Sequence, residues 1–154
     1  MSRKVRIGII GCGAIAERLH VPEYAGSPDA DIVAFCDVIK SKAHTLAERF
    51  APDAEVYSDY TTFFKKAGVE GVSVCLPNHL HGPVTIAALK AGCNVLVEKP
   101  MATSVTEARR MLDAADKAGK LLAVNQSQRL FPAHVKAKAV MDSGIMRKVL
   151  HVAA

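Results

Sequence analysis

Six short apolar runs, each followed by a longer stretch of helical spacing, constrain this chain more than any other feature. Val5–Ile10, Asp31–Cys36, Glu55–Tyr57, Gly71–Leu76, Asn94–Glu98 and Leu121–Asn125 have the length and content of strands. Between them the spacing predicts helices over Ala14–Tyr24, Lys40–Phe50, Tyr60–Ala67, Pro83–Ala91 and Ser104–Lys117, with Pro22 disturbing the last turn of the first. Asp59 reads as an N-cap, and Ser104 with Glu107 as a capping box. Gly92 and Gly119 stand where helices close. Near-continuous apolar strands alternating with helices mean parallel pairing with both sheet faces covered. The expected fold class is therefore α/β, a doubly wound, mostly parallel sheet.

The first strand runs into Gly11-Cys12-Gly13-Ala14-Ile15-Ala16. Glycine costs backbone entropy in regular structure, so two of them at a strand exit need a reason. A dinucleotide site supplies one. Pyrophosphate sits against the N-terminus of the first crossover helix, where free N–H groups and the helix dipole favour negative charge. One glycine makes the tight turn, a second lets backbone approach phosphate, and a small third residue lets helix and strand pack closely. Gly11, Gly13 and Ala16 match those roles in order. Asp37 closes the second strand, near the ~20-residue spacing of the acid that grips the adenosine ribose. With that site the sheet is a Rossmann sheet, expected in strand order 3-2-1-4-5-6.

Asp37 also bears on cofactor choice. A carboxylate there accepts hydrogen bonds from a free ribose diol and repels a 2′-phosphate, which favours NAD over NADP. Lys40 and Lys42 follow closely and keep NADP open. FAD sites share the glycine pattern, so the glycines alone do not name the cofactor.

Two further stretches sit at strand ends, where open α/β sheets collect ligands. In "LPNHLHGP", Pro77 stiffens the loop and Asn78 is placed to bond ribose or amide groups. His79 and His81 form an H-x-H pair, but no nearby acid supplies a third ligand, so no metal is expected. In "NVLVEKPMA", a strand this apolar should end in Glu98-Lys99-Pro100 only with the charges kept at the rim. The bland reading is a solvated rim salt bridge. The functional one sets Lys99 at the nicotinamide end of the cleft, suited to proton transfer.

The four cysteines, Cys12, Cys36, Cys75 and Cys93, show no zinc or disulfide spacing and read as buried hydrophobes, which suits a cytoplasmic protein. The net charge of +5 is spread along the chain without interleaved aromatics, so no nucleic-acid partner is expected. No run is long enough for a bilayer span and no signal peptide is read, so no membrane partner is expected.

Taken together, "GIIGCGAIA", Asp37, "LPNHLHGP", "VEKPMA" and "SQRLFPAH" resemble the glucose–fructose oxidoreductase / inositol 2-dehydrogenase family, in order and spacing, over essentially the whole chain. The resemblance implies an NAD(P)-dependent dehydrogenase acting on a secondary alcohol of a sugar, polyol or related small molecule. It implies that Gly11, Gly13 and Ala16 form the phosphate loop, with Cys12, Ala14 and Ile15 giving backbone contacts and Asp37 on the ribose. It implies that Leu76, Pro77, Asn78 and His81 line the cofactor's middle. Glu98 and Lys99 then reach the nicotinamide, with Lys99 the catalytic or orienting residue, and Asn125, Gln126 and Arg129 fall at a domain junction. Leu130 departs from the pattern, standing before Phe131 where the family has an aromatic directly after the arginine.

Family members carry a second domain that supplies an aspartate and a histidine for proton transfer. The expected organisation is thus a dinucleotide-binding domain over residues 1–125. Residues 126–154 would be a junction helix and the first strand, Lys148–Val152, of a C-terminal substrate domain. A chain ending there is expected to bind NAD weakly and turn over little, and the full-length protein to be a homo-oligomer. Two other readings share the fold: a non-catalytic dinucleotide-binding regulatory module, and an NAD-dependent redox-neutral glycosidase. Lys99 in its E-K-P setting favours an enzyme.

Overall fold

The computed structural model describes residues 3–147. Six parallel strands form one sheet in the order β3-β2-β1-β4-β5-β6. They are β1 (Val5–Ile10), β2 (Ala30–Cys36), β3 (Glu55–Tyr57), β4 (Gly71–Val74), β5 (Asn94–Glu98) and β6 (Leu122–Asn125). The helices are α1 (Val21–Gly26), α2 (Lys40–Phe50), α3 (Tyr60–Lys66), α4 (Asn78–Lys90), α5 (Val105–Ala118) and α6 (Pro132–Asp142). The expected doubly wound Rossmann sheet and its strand order are both present. Residues 148–152, read above as a strand, lie outside the described residues.

Side-chain alternation splits the core into two apolar layers, one on each face. Ile7, Ile9, Val21, Phe35, Leu46 and Cys75 pack with α1 and α2 on one side. Ile10, Val72, Val74, Val95, Val97 and Met111 pack with α3, α4 and α5 on the other. On β4 and β5 the alternate positions therefore face α1, and they include Ser73, Leu96 and Glu98. That parity builds the site described below.

The two predicted caps form. Asp59 accepts the Thr62 N–H at 2.8 Å, and Ser104 accepts the Glu107 N–H at 3.2 Å. Glu107 answers not to Ser104 but one residue earlier, accepting from the Thr103 N–H at 3.0 Å.

Three boundaries differ from expectation by two residues or more. β4 stops at Val74 instead of Leu76, though the Cys75 N–H still donates to the Ile10 carbonyl at 2.7 Å. α4 starts at Asn78, not Pro83, and carries Pro83 inside it. So near a helix start, proline forfeits only one backbone bond, so the helix carries Pro83 a turn beyond the first-turn position proline prefers. The first crossover helix runs past Pro22 to Gly26, and Ala16–His20 within it is a π-helical turn. The Val21 N–H reaches back five residues to the Ala16 carbonyl. The wide turn sits directly before Pro22, which has no N–H to give.

Candidate functional site

β1 and β4 are neighbours, and the chain leaves their carboxyl ends toward opposite faces of the sheet. That divergence opens a crevice at the switch point. The Gly11–Ala16 loop lies in it. Gly11 has φ +90°, the left-handed region, and a Cβ there would run into the Cys75 backbone. Its N–H donates to the Cys36 carbonyl at 2.8 Å. Gly13 differs: a Cβ built on it meets nothing within 4 Å. Ala14 and Ile15 stand exposed, while Ala16 is fully buried against the sheet. The first helical turn leaves its N–H groups without intrahelical partners. The loop thus offers open backbone donors, which is what a pyrophosphate needs.

Asp37 closes the other side. Its Oδ2 accepts the Cys12 N–H at 2.8 Å, and its Oδ1 accepts the Ile39 N–H at 2.8 Å. Each carboxylate oxygen keeps a further lone pair. A cleft of about 230 Å³ between this loop and α2 is lined by Cys12, Gly13, Ala14, Glu17, Lys42 and Thr45. Lys42 lines this cleft from α2. The Cys12 thiol is pushed up to about 12, chiefly by burial and further by the Asp37 charge. It is a packing group under the loop rather than a nucleophile.

The "LPNHLHGP" stretch meets the loop through Leu76, whose Cδ2 would lie 3.0 Å from a Cβ on Gly11. Pro77 and Asn78 are exposed beside it, as is His79. His81 behaves otherwise. It is 1% exposed, with Nδ1 2.6 Å from the Pro100 carbonyl and Nε2 2.8 Å from the Leu76 carbonyl. Both ring nitrogens are taken up by backbone, so His81 ties the end of β4 to the end of β5 and presents no free polar atom to a ligand. Among the described residues, no group of three or more His, Cys, Asp or Glu could hold a metal.

At the end of β5 the expectation of rim charges needs correcting. Glu98 is 6% exposed and points inward, on the α1 face. Its Oε1 accepts from His20 Nε2 at 2.9 Å and from Asn125 Nδ2 at 2.6 Å, and its Oε2 accepts the Lys99 N–H at 3.1 Å. His20 Nδ1 lies 2.6 Å from the Ser73 hydroxyl. Burial pushes the Glu98 carboxyl up, but the hydrogen bonds from His20 and Asn125 and the His20 charge outweigh it and hold the group below its usual value. A buried carboxylate survives only with this kind of compensation. Lys99 leaves the sheet next to this cluster and is exposed.

Asn125 thus joins the site through Glu98. Gln126 and Arg129 are exposed beyond β6, Arg129 in the short 3-10 turn Ser127–Leu130. Arg129 borders a cleft with Gln128, His134 and Lys138, apart from the phosphate-loop cleft. An apolar groove of about 520 Å³ lies on the α1 face, bordered by Leu19, Tyr24, Leu96, Leu130 and Phe131.

Sequence reasoning missed His20 and Ser73. Two signals were available. His20 follows Ala16 by four residues and shares its buried helix face. Ser73 is the one polar residue in the run Val72–Cys75.

Comparison with known proteins bears on this geometry. Residues 5–126 match the family described as "Oxidoreductase family, NAD-binding Rossmann fold". The D-glucoside 3-dehydrogenase of Escherichia coli (strain K12) is 35% identical over 148 residues, which is 96% of this chain and 42% of that protein. Among solved structures, KijD10, a 3-ketoreductase from Actinomadura kijaniata crystallised with NADP, superposes with a TM-score of 0.86 at 31% identity, over 93% of this chain and 45% of that one. The WlbA dehydrogenase from Bordetella pertussis, crystallised with NADH and UDP-GlcNAcA, superposes with a TM-score of 0.85 at 27% identity, over 92% of this chain and 43% of that one. The chain spans less than half the length of these relatives.

Proposed function

Because this chain belongs to the oxidoreductase family with an NAD-binding Rossmann fold, we propose that it forms the cofactor half of a dehydrogenase for a secondary alcohol of a sugar, polyol or related small molecule. The observation that carries this reading is the Gly11–Ala16 loop held to Asp37 at the carboxyl end of β1. The loop's residues fit a dinucleotide: Gly13 leaves open the space a Cβ would fill, and Asp37 stands beside it with lone pairs to spare.

A bound nicotinamide supplies or accepts the hydride. The chain's own residues do the rest. Gly13, Ala14 and Ile15 meet the diphosphate with backbone N–H groups at the helix end, on a turn shaped by Gly11, Cys12 and Ala16, the Gly11 and Cys12 N–H groups being held by Cys36 and Asp37. Asp37 orients the adenosine ribose. Leu76, Pro77 and Asn78 flank the middle of the cofactor, with His81 holding that loop in place from behind. Lys99 Nζ orients the substrate hydroxyl and moves its proton, and Glu98 and Asn125 hold the strand end from which Lys99 departs. NAD is the preferred cofactor. The protein carrying this domain works as a homo-oligomer in the cytoplasm.

The test is NADH formation by the protein carrying this domain, with NAD⁺ and a panel of polyols and sugars, beside Lys99→Ala. Turnover lost in Lys99→Ala with NADH binding retained supports the assignment. Equal turnover removes Lys99 from the mechanism, and failure to bind either dinucleotide removes the dehydrogenase reading altogether.

A further inference from the structure

Of the four ion pairs formed by described residues, the one between His20 and Glu98 is buried, with side chains 3% and 7% exposed. It joins the crossover helix to the end of β5. We propose that His20 is a positioning residue for Lys99: through Glu98 it fixes the backbone from which the lysine side chain leaves the sheet.

Three observations carry this. First, the hydrogen bonds form a directed chain. The Ser73 hydroxyl contacts His20 Nδ1 at 2.6 Å, and His20 Nε2 contacts Glu98 Oε1 at 2.9 Å. Glu98 Oε2 then accepts the Lys99 N–H at 3.1 Å. An ionised carboxylate can only accept, so the ring directs an Nε2–H at Glu98 while Nδ1 is engaged by the Ser73 hydroxyl. Asn125 donates to the same Oε1 at 2.6 Å from β6. Glu98 is therefore held from two neighbouring elements, the crossover helix and β6, as well as by the next backbone N–H, and cannot swing without breaking a buried bond.

Second, the helix is deformed where it delivers His20. The π-helical turn covers Ala16–His20 and inserts one residue relative to a regular helix. One residue is worth about 100° of rotation. Wide turns of this kind gather at functional sites.

Third, packing alone does not call for it. The face of β4 and β5 turned toward α1 is otherwise apolar at Leu96, and a buried ion pair is a poor route to stability compared with apolar residues of similar volume. What the pair adds is direction at the last residue of the strand.

The inference rests on the dehydrogenase reading for its catalytic meaning, and the experiment separates the two. The 154-residue chain is prepared as wild type, His20→Leu and His20→Gln. Gln keeps an N–H able to reach Glu98; Leu does not. Three quantities are read: exchange of the Lys99 amide proton, NADH affinity, and the NADH-induced shift of the ¹³C-dimethylated Lys99 side chain, assigned with Lys99→Arg. The expected result in His20→Leu is Lys99 amide exchange at least tenfold faster, with the β1 and β2 amides unchanged. NADH affinity changes less than threefold while the Lys99 side-chain shift is lost, and His20→Gln restores both Lys99 signals. Unchanged Lys99 signals in His20→Leu, or parallel loosening of β1 and β2, overturn the proposal. If His20→Leu does not fold because it strands a buried carboxylate, the double variant His20→Leu/Glu98→Gln carries no such charge and is held to the same criteria. A wild-type chain that fails to bind NADH overturns the cofactor reading, and with it the positioning role of His20 in catalysis, whatever the amide does.

Discussion

The Cys12 backbone N–H donates to Asp37 Oδ2 at 2.8 Å, joining the turn after β1 to the residue after β2. The same carboxylate therefore shapes the phosphate loop from the neighbouring strand end. Asp37→Ala should act twice. It should weaken NADH binding tenfold or more, about 1.4 kcal/mol, and it should lower the preference for NADH over NADPH by removing the repelling charge while Lys42 stays. Parallel titrations of both reduced cofactors check this; an unchanged ratio would remove Asp37 from cofactor choice.

Gly11 and Gly13 should separate folding from binding. Gly11→Ala puts a side chain at φ +90° and into the Cys75 backbone. The conformation alone costs about 1–3 kcal/mol, so thermal unfolding should drop clearly. A Cβ on Gly13 meets nothing within 4 Å, so Gly13→Ala should change stability by only about 0.5 kcal/mol. Its NADH affinity should nevertheless fall tenfold or more, because the methyl occupies the space phosphate would take.

Glu98 should be visible in the pH dependence of stability. Its carboxyl is held below the ordinary value of 4.5 in the folded chain. A depressed acid contributes stability that is complete above its unfolded value and lost as pH falls through the folded one. Glu98→Gln should therefore cost about 2 kcal/mol at neutral pH. The gap to wild type should close as denaturant titrations move below pH 4.5. A gap that is constant across that range would mean that Glu98 is not ionised in the native state.

The buried thiols should be silent. Cys12, Cys36 and Cys75 are each pushed up to about 12, burial being the largest cause. Cys93 is buried and free as well. A thiol reagent at neutral pH should label none of the four until denaturant is added. Fast labelling of Cys12 in the native chain would mean that the phosphate loop opens.

Much of this was readable in the residues because it is local. Strand content, the Gly11–Gly13–Ala16 spacing and the caps at Asp59 and Ser104 are decided within a few positions. What escaped reading is long-range. Glu98 looks like a rim charge until His20, 78 residues earlier, is seen to bond it. His81 looks like a ligand-facing histidine until its two nitrogens are found on the Leu76 and Pro100 carbonyls. The π-turn that delivers His20 has no sequence period of its own. A proline at a helix start marks N1 only by preference, and Pro83 shows the helix already under way.

The most direct measurement is a titration of the ¹⁵N-labelled chain with NADH, followed amide by amide. Saturable shifts are expected at residues 11–16 and at Asp37, with the Lys99 amide moving in the same titration. Absence of saturable shifts, or shifts confined to the apolar groove around Leu19 and Phe131, would contradict it.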